Sequence, residues 1–127
     1  MRRYLLGFLG LTLVVAGCAG PPKMATVPSG PGEKVIQMKA SSFDFDPNVI
    51  QAHQGDRLVL VIRNTADTTH NFTVKNPSGE VLVTKDLPEN STVRVDVPLS
   101  QAGKYPFYCD KPFHAVFGMK GRLVVAK

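Results

Sequence analysis

The sequence predicts an all-β fold, a Greek-key sandwich or barrel of about seven to eight strands. Three observations carry that expectation. From residue 34 onward, apolar residues recur at every second position in short runs, the spacing of half-buried strands. The runs are separated by turn chemistry, with 11 Gly and 10 Pro in 127 residues. No stretch after residue 33 keeps a helical apolar period. Short strands at roughly ~10-residue intervals are what a sandwich or barrel requires. Periodicity does not separate a Greek key from a meander, but sandwiches of this size are mostly Greek keys.

The chain opens with an address rather than a fold. Met1, Arg2 and Arg3 form a basic start, and residues 4–16 are almost wholly apolar yet short of the ~20 residues a membrane span needs. Val15-Ala16-Gly17-Cys18 resembles the bacterial lipobox. That resemblance implies that residues 1–17 are a cleaved lipoprotein signal peptide and that Cys18 is lipidated, so the protein is extracytoplasmic and lipid-anchored to a bacterial membrane, at the periplasm or cell surface. Residues 18–33 carry Pro and Gly without an apolar period, and are expected to be a flexible tether that lets a folded head stand away from the membrane.

The folded unit is expected over residues 34–127. Residues 34–40 read as a first strand. Phe43 and Phe45 alternate with Asp44 and Asp46 until Pro47 breaks the run. Residues 49–52 form a short strand ending in a turn at residues 53–56. Residues 57–63 are the most hydrophobic run and are expected in the centre of a sheet. A polar loop over 64–69 leads to a strand at 70–75, a turn at 76–79 and a strand at 80–84. Residues 92–97 alternate cleanly and should be half-exposed, and residues 104–108 and 122–126 close the chain.

Composition excludes some functions. At 43% hydrophobic and 20% charged the chain can bury a core. Its net charge is +5, but Arg2 and Arg3 lie in the expected signal, leaving a net charge of +3 on the rest. That is too weak and scattered for nucleic-acid binding, which needs a dense basic stripe.

The chemistry concentrates in residues 105–121. Cys109, His114 and Met119 follow a C-x4-H-x4-M spacing on one loop between two strands. Thiolate and imidazole together suit copper, zinc or iron; the thioether narrows the choice, because Met is a poor zinc ligand and a weak axial copper ligand. The expected cofactor is one copper ion. A second imidazole must come from outside the loop. His70, at a strand start after a polar loop, can project toward the loop end, whereas His53 lies in a turn and reads as a solvated bystander. With Cys18 lipidated, Cys109 has no disulfide partner in the chain, and metal binding would protect a lone thiol in an oxidising compartment. A binuclear copper site would need a second Cys in the loop, which is missing.

The segments HNF at residues 70–72, YPFYCDKPFHAVFGMKGRLVV at 105–125 and FDFDPNVIQAHQGDRLVLVIRN upstream resemble the cupredoxins, the blue copper family of plastocyanin, azurin and rusticyanin. The resemblance covers roughly residues 34–127. It implies electron transfer by a mononuclear type 1 site cycling between Cu(II) and Cu(I), with His70, Cys109 and His114 as equatorial ligands and Met119 axial. It implies a carrier rather than an enzyme, most simply a monomer, whose partner is a cytochrome or an oxidase or reductase. A copper chaperone or scavenger, delivering copper to another protein, is the alternative use of the same ligands. Asn71 is a candidate to hydrogen-bond across to the ligand loop. Many relatives have Gly just before the second His, where this chain has Phe113. Phe113, Lys111 and Lys120 form a candidate docking patch, the lysines suiting a partner with an acidic surface. Phe117 is expected either in that patch or in the core.

Overall fold

The computed structural model describes residues 21–112, 114 and 117–127. The signal segment, Cys18 and Phe113 lie outside them. Among the described residues there is no helix and there are ten strands. These are β1 (Met24–Thr26), β2 (Glu33–Ser41), β3 (Asp44–Asp46), β4 (Val49–His53), β5 (Arg57–Asn64), β6 (His70–Lys75), β7 (Val81–Leu87), β8 (Thr92–Pro98), β9 (Gly103–Tyr108) and β10 (Lys120–Ala126). They form two sheets, ordered β1-β4-β10-β9-β6-β7 and β3-β2-β5-β8. The chain crosses between sheets at β1–β2, β3–β4, β4–β5, β5–β6, β7–β8 and β8–β9, as a Greek-key sandwich does.

The period-two pattern explains the layers. Strand β2 alternates exposed and buried along its length, turning Ile36, Met38 and Ala40 inward. Strand β5 lies between β2 and β8, and its Leu58, Leu60 and Ile62 are buried with Val95 and Val97 of β8. As an edge strand, β8 keeps its exposed face. Strand β6 departs from simple alternation: His70 through Val74 are all buried, since β7 and β9 flank it and its polar face is occupied by Asn71 and Thr73.

Two differences from the sequence reading matter. The strand count exceeds seven to eight because two three-residue strands, β1 and β3, form on the edges of longer ones. The stretch expected as a free tether also contains structure. Residues 24–26 pair in parallel with β4, Met24 opposite Val49 and Thr26 opposite Gln51, and Val27 is buried. Backbone hydrogen bonds bind this strap at both ends: Asn48 and Val49 N–H donate to Lys23 O at 2.9 and 3.1 Å, and Val27 N–H donates to Gln51 O at 2.8 Å. The run is too short and too flanked by Pro and Gly to form alone, and the exposed edge of β4 supplies what it lacks.

Three core phenylalanines join β3, β6 and β9. Phe45, Phe72 and Phe107 meet with ring centroids 5.2 to 5.8 Å apart, two of the three contacts edge-on. Alternation puts Phe72 on the same face of β6 as His70, and Phe107 on the same side of β9 as Cys109. The aromatic cluster is thus the floor on which the candidate ligands stand. Away from that end, the Tyr105 hydroxyl donates to Gln101 O at 2.6 Å and accepts from Gln101 N–H at 3.0 Å, closing the corner that leads into β9.

Candidate metal centre

The loop between β9 and β10 is closed by one more rung of their ladder. Tyr108 faces Lys120, and just beyond it Cys109 N–H donates to Met119 O at 3.0 Å. This pairing sets the thiol and the thioether side by side at the mouth of the sandwich, both fully buried. Within the loop His114 N–H donates to Lys111 O at 3.2 Å, and Met119 N–H donates to His114 O at 3.0 Å. The backbone of His114 is therefore fixed by hydrogen bonds on both sides, and the residue is only half-buried.

His70 arrives from the other direction, at the first position of β6 opposite Leu87 of β7. Its ring is buried, and its Nδ1 lies 3.1 Å from His114 Nδ1. Cys109 Sγ is 3.4 Å from the same His114 nitrogen. The three donor atoms fall within 4.8 Å of one another. Two imidazole nitrogens and one sulfur thus converge on a point without a carboxylate in the cluster, with Met119 beside it. Burial first, and then the neighbouring His114, hold the His70 pKa below its ordinary value, so the ring is kept neutral and able to ligate. The Nε2 of His70 is buried and has no hydrogen-bond partner among the described residues. The donor chemistry is that of a copper site: two imidazoles, a thiolate and a thioether, the soft set with which a copper ion is bound in either oxidation state.

The predicted set of His70, Cys109, His114 and Met119 is brought together from two elements. His53 is exposed at the far end of β4 and takes no part. Asn71 bonds across to the loop through its backbone, while its side chain is engaged within the sheet. Its amide donates to Thr84 Oγ1 at 3.0 Å, and its oxygen accepts from Thr73 at 2.6 Å, both on β6 and β7. Its backbone N–H makes the cross-link, donating to Cys109 Sγ at 3.3 Å. A hydrogen bond to the sulfur orients it and would temper its electron donation to a bound metal. Lys111 is engaged with Asp86 at 3.6 Å, whereas Lys120 is exposed on the rim.

Two residues that the sequence did not single out shape the site. Asn64, fully buried at the end of β5, holds the loop that delivers His70. Its amide donates to Thr68 O and Leu87 O at 2.9 Å and to Pro88 O at 3.2 Å, and its oxygen accepts from Ala66 N–H at 2.9 Å. An Asn at the end of an apolar run, before a polar loop, was the available signal. Phe43, in the β2–β3 turn, sets its ring edge-on to His114 at 5.0 Å and meets Phe117 at 5.2 Å. Phe117 is 65% exposed, so it belongs to the surface around His114 and not to the core.

Comparison with known proteins bears on this geometry. A family model described as a cupredoxin-like domain matches residues 8–125. Two curated relatives, both cytochrome c oxidase subunit 2 from Thermus thermophilus, are 33% identical over 91 residues. That match takes in 71% of this chain but 63% and 51% of theirs, so the chain spans about half to two thirds of their length. Among solved structures, auracyanin from Roseiflexus castenholzii superposes with a TM-score of 0.64 at 18% identity, over 73% of this chain and 97% of its own. Auracyanin A from Chloroflexus aurantiacus, a "blue" copper protein, gives 0.62 at 22% identity, over 74% and 99%. At these identities the likeness is one of fold.

Proposed function

Because the chain belongs to the cupredoxin-like domain family, we propose that it is a one-electron carrier built on a single type 1 copper ion, held outside the cytoplasm by a lipid on Cys18. The observation that carries this reading is the convergence of His70, Cys109 and His114 donor atoms within 4.8 Å, beside a buried Met119, in a chain with one loop cysteine. His70, Cys109 and His114 would be the equatorial ligands and Met119 the axial one. The bound ion would supply a Cu(II)/Cu(I) couple.

The residues supply the rest. His70 is set by one sheet strand and the loop donors by another hairpin, so the two parts cannot drift apart when charge changes. The aromatic floor of Phe45, Phe72 and Phe107 keeps water from the inner side. Asn71 N–H holds the sulfur in place. His114 alone among the donors reaches the surface, which makes its ring the route by which an electron enters or leaves. The role is that of a carrier with a redox protein as partner, and the resemblance to oxidase subunit 2 supports a respiratory one. The single loop cysteine favours a mononuclear centre over a binuclear one.

The test is to express residues 19–127, add Cu(II) and record the visible spectrum. An intense thiolate-to-copper charge-transfer band is expected, lost in Cys109→Ser. A colourless wild type, or a band that survives the substitution, refutes the assignment. Reversible cycling at a usable potential separates a carrier from a copper-delivery protein, which would instead exchange its metal rapidly with an acceptor.

A further inference from the structure

We infer that the metal-bearing pole of the sandwich faces the membrane surface, with Phe43 and Phe117 at the contact. The inference rests on the reading of Cys18 as the lipid anchor. Its own basis is where the chain leaves the fold. Strand β2 begins opposite Arg57 and ends with Ala40 opposite Asn64, the residue that holds the loop before His70. Glu33 therefore lies at the pole remote from the metal, and nine residues of strand, roughly 30 Å at ~3.3 Å each, separate the poles. A chain that entered the fold at β2 would carry its anchor at that remote pole.

The strap reverses this. Running parallel to β4, it takes the chain back along the sandwich, so that Lys23 lies at the start of β4 beside the metal end. Lys23 is pinned there by four interactions: its N–H donates to Asn48 Oδ1 at 2.9 Å, its carbonyl accepts from Asn48 and Val49, and its ammonium pairs with Asp44 at 2.5 Å. Pro21 and Pro22 share a surface hollow with Phe43 and Phe117, the rings next to His114. From Pro21 back to Cys18 there are three peptide steps. At a maximum of ~3.6 Å each they span about 11 Å. An acyl-bearing Cys18 seated at the headgroups thus holds this pole within about 11 Å of the bilayer and leaves the other pole outward.

The surface at this pole has matching chemistry. Phe43 and Phe117 are 42% and 65% exposed, and Lys120 and Arg122 line the same hollow. Apolar rings within a basic rim suit an interface of acyl chains and anionic headgroups. Phe43 holds its ring there at a φ of +57°, a backbone region that bulky side chains resist.

The chain has no Trp, so single reporters can be placed at each pole. The full-length lipidated, copper-loaded protein is reconstituted into vesicles of phosphatidylcholine and phosphatidylglycerol carrying brominated acyl chains, as Phe117→Trp or as Ser100→Trp at the remote pole. Fluorescence is expressed relative to unbrominated vesicles, which cancels quenching by the metal. Emission from the residue 117 reporter is expected to fall to roughly half or less, with that from residue 100 unchanged. Equal quenching of the two, or stronger quenching at residue 100, overturns the orientation. Flotation with the vesicles, lost in Cys18→Ser, tests the anchor separately. Failure to float overturns the anchor and the orientation together, whereas flotation with an unquenched residue 117 reporter overturns the orientation alone.

Discussion

Replacing Asn64 with Ala should weaken both the fold and the metal site, although Asn64 is not a candidate ligand. Its side chain sits fully buried, its two amide N–H groups shared among the carbonyls of Thr68, Leu87 and Pro88 and its oxygen accepting from Ala66. Counted as three full bonds at a net ~0.5–1.5 kcal/mol each, the range is about 1.5–4.5 kcal/mol. Thr68 O and Pro88 O lie at part-buried positions where water can replace the amide, so the lower half of the range applies, about 2 kcal/mol. For a domain of this size that corresponds to a fall in Tm of about 8 °C. The loop freed at Thr68 is the one that places His70, so copper affinity should drop by ~10-fold or more and the charge-transfer band should shift or weaken. Thermal unfolding by circular dichroism and a copper competition titration measure the two effects. A Tm within about 3 °C of the parent, or a destabilised protein with an unchanged spectrum and affinity, would show that Asn64 does not couple the loop to the site.

Three other outcomes follow from the packing and the charges. Gly121→Ala should destabilise by about 3 kcal/mol or more, because an added Cβ would lie 2.2 Å from Asn48 O and 2.4 Å from the Phe107 ring; a variant that melts like the parent would mean that β10 and its neighbours yield easily. Tyr105→Phe should cost about 2 kcal/mol by removing both bonds to Gln101, and its visible spectrum should match the parent, since the corner lies away from the donors. The copper-free protein should lose stability in acid. His70 has a folded-state pKa below its ordinary value, so as pH falls through about 6.5 the unfolded state takes up the proton first and the native state loses ground; a chemical denaturation midpoint that stays flat from about pH 7 to about pH 5 contradicts this.

The strands that carry the site were legible because their signals are local. The continuous apolar run at residues 57–63 marks a central strand and the alternation at 92–97 a half-exposed one whatever their partners, and the spacing of Cys109, His114 and Met119 is short enough to be read as one loop. His70 could be chosen over His53 because it follows a polar loop at a strand start. What escaped depends on partners distant in sequence. Residues 24–26 carry almost no strand signal, and it is the open edge of β4 that makes them a strand. Phe43 reads as one alternating aromatic among two; only the turn conformation carries its ring to His114 while Phe45 goes to the core. Asn71 was legible as a tie but not as to which atom ties, because side-chain and backbone donors look alike in a sequence.

The rung between Cys109 and Met119 has a consequence for how such a protein can change over evolutionary time. It seals the segment between them from the ladders of β9 and β10, which are complete without it. Three of the four donors therefore sit on or at the border of a cassette whose length and composition can vary while the sandwich stays intact. Inserting one residue among positions 110–118 should alter the colour and potential of the site far more than the unfolding of the copper-free protein; an equal loss in both would show the cassette and the frame to be inseparable. In such an architecture new metal chemistry is reached by rewriting one connection, with the fold as its inherited constant.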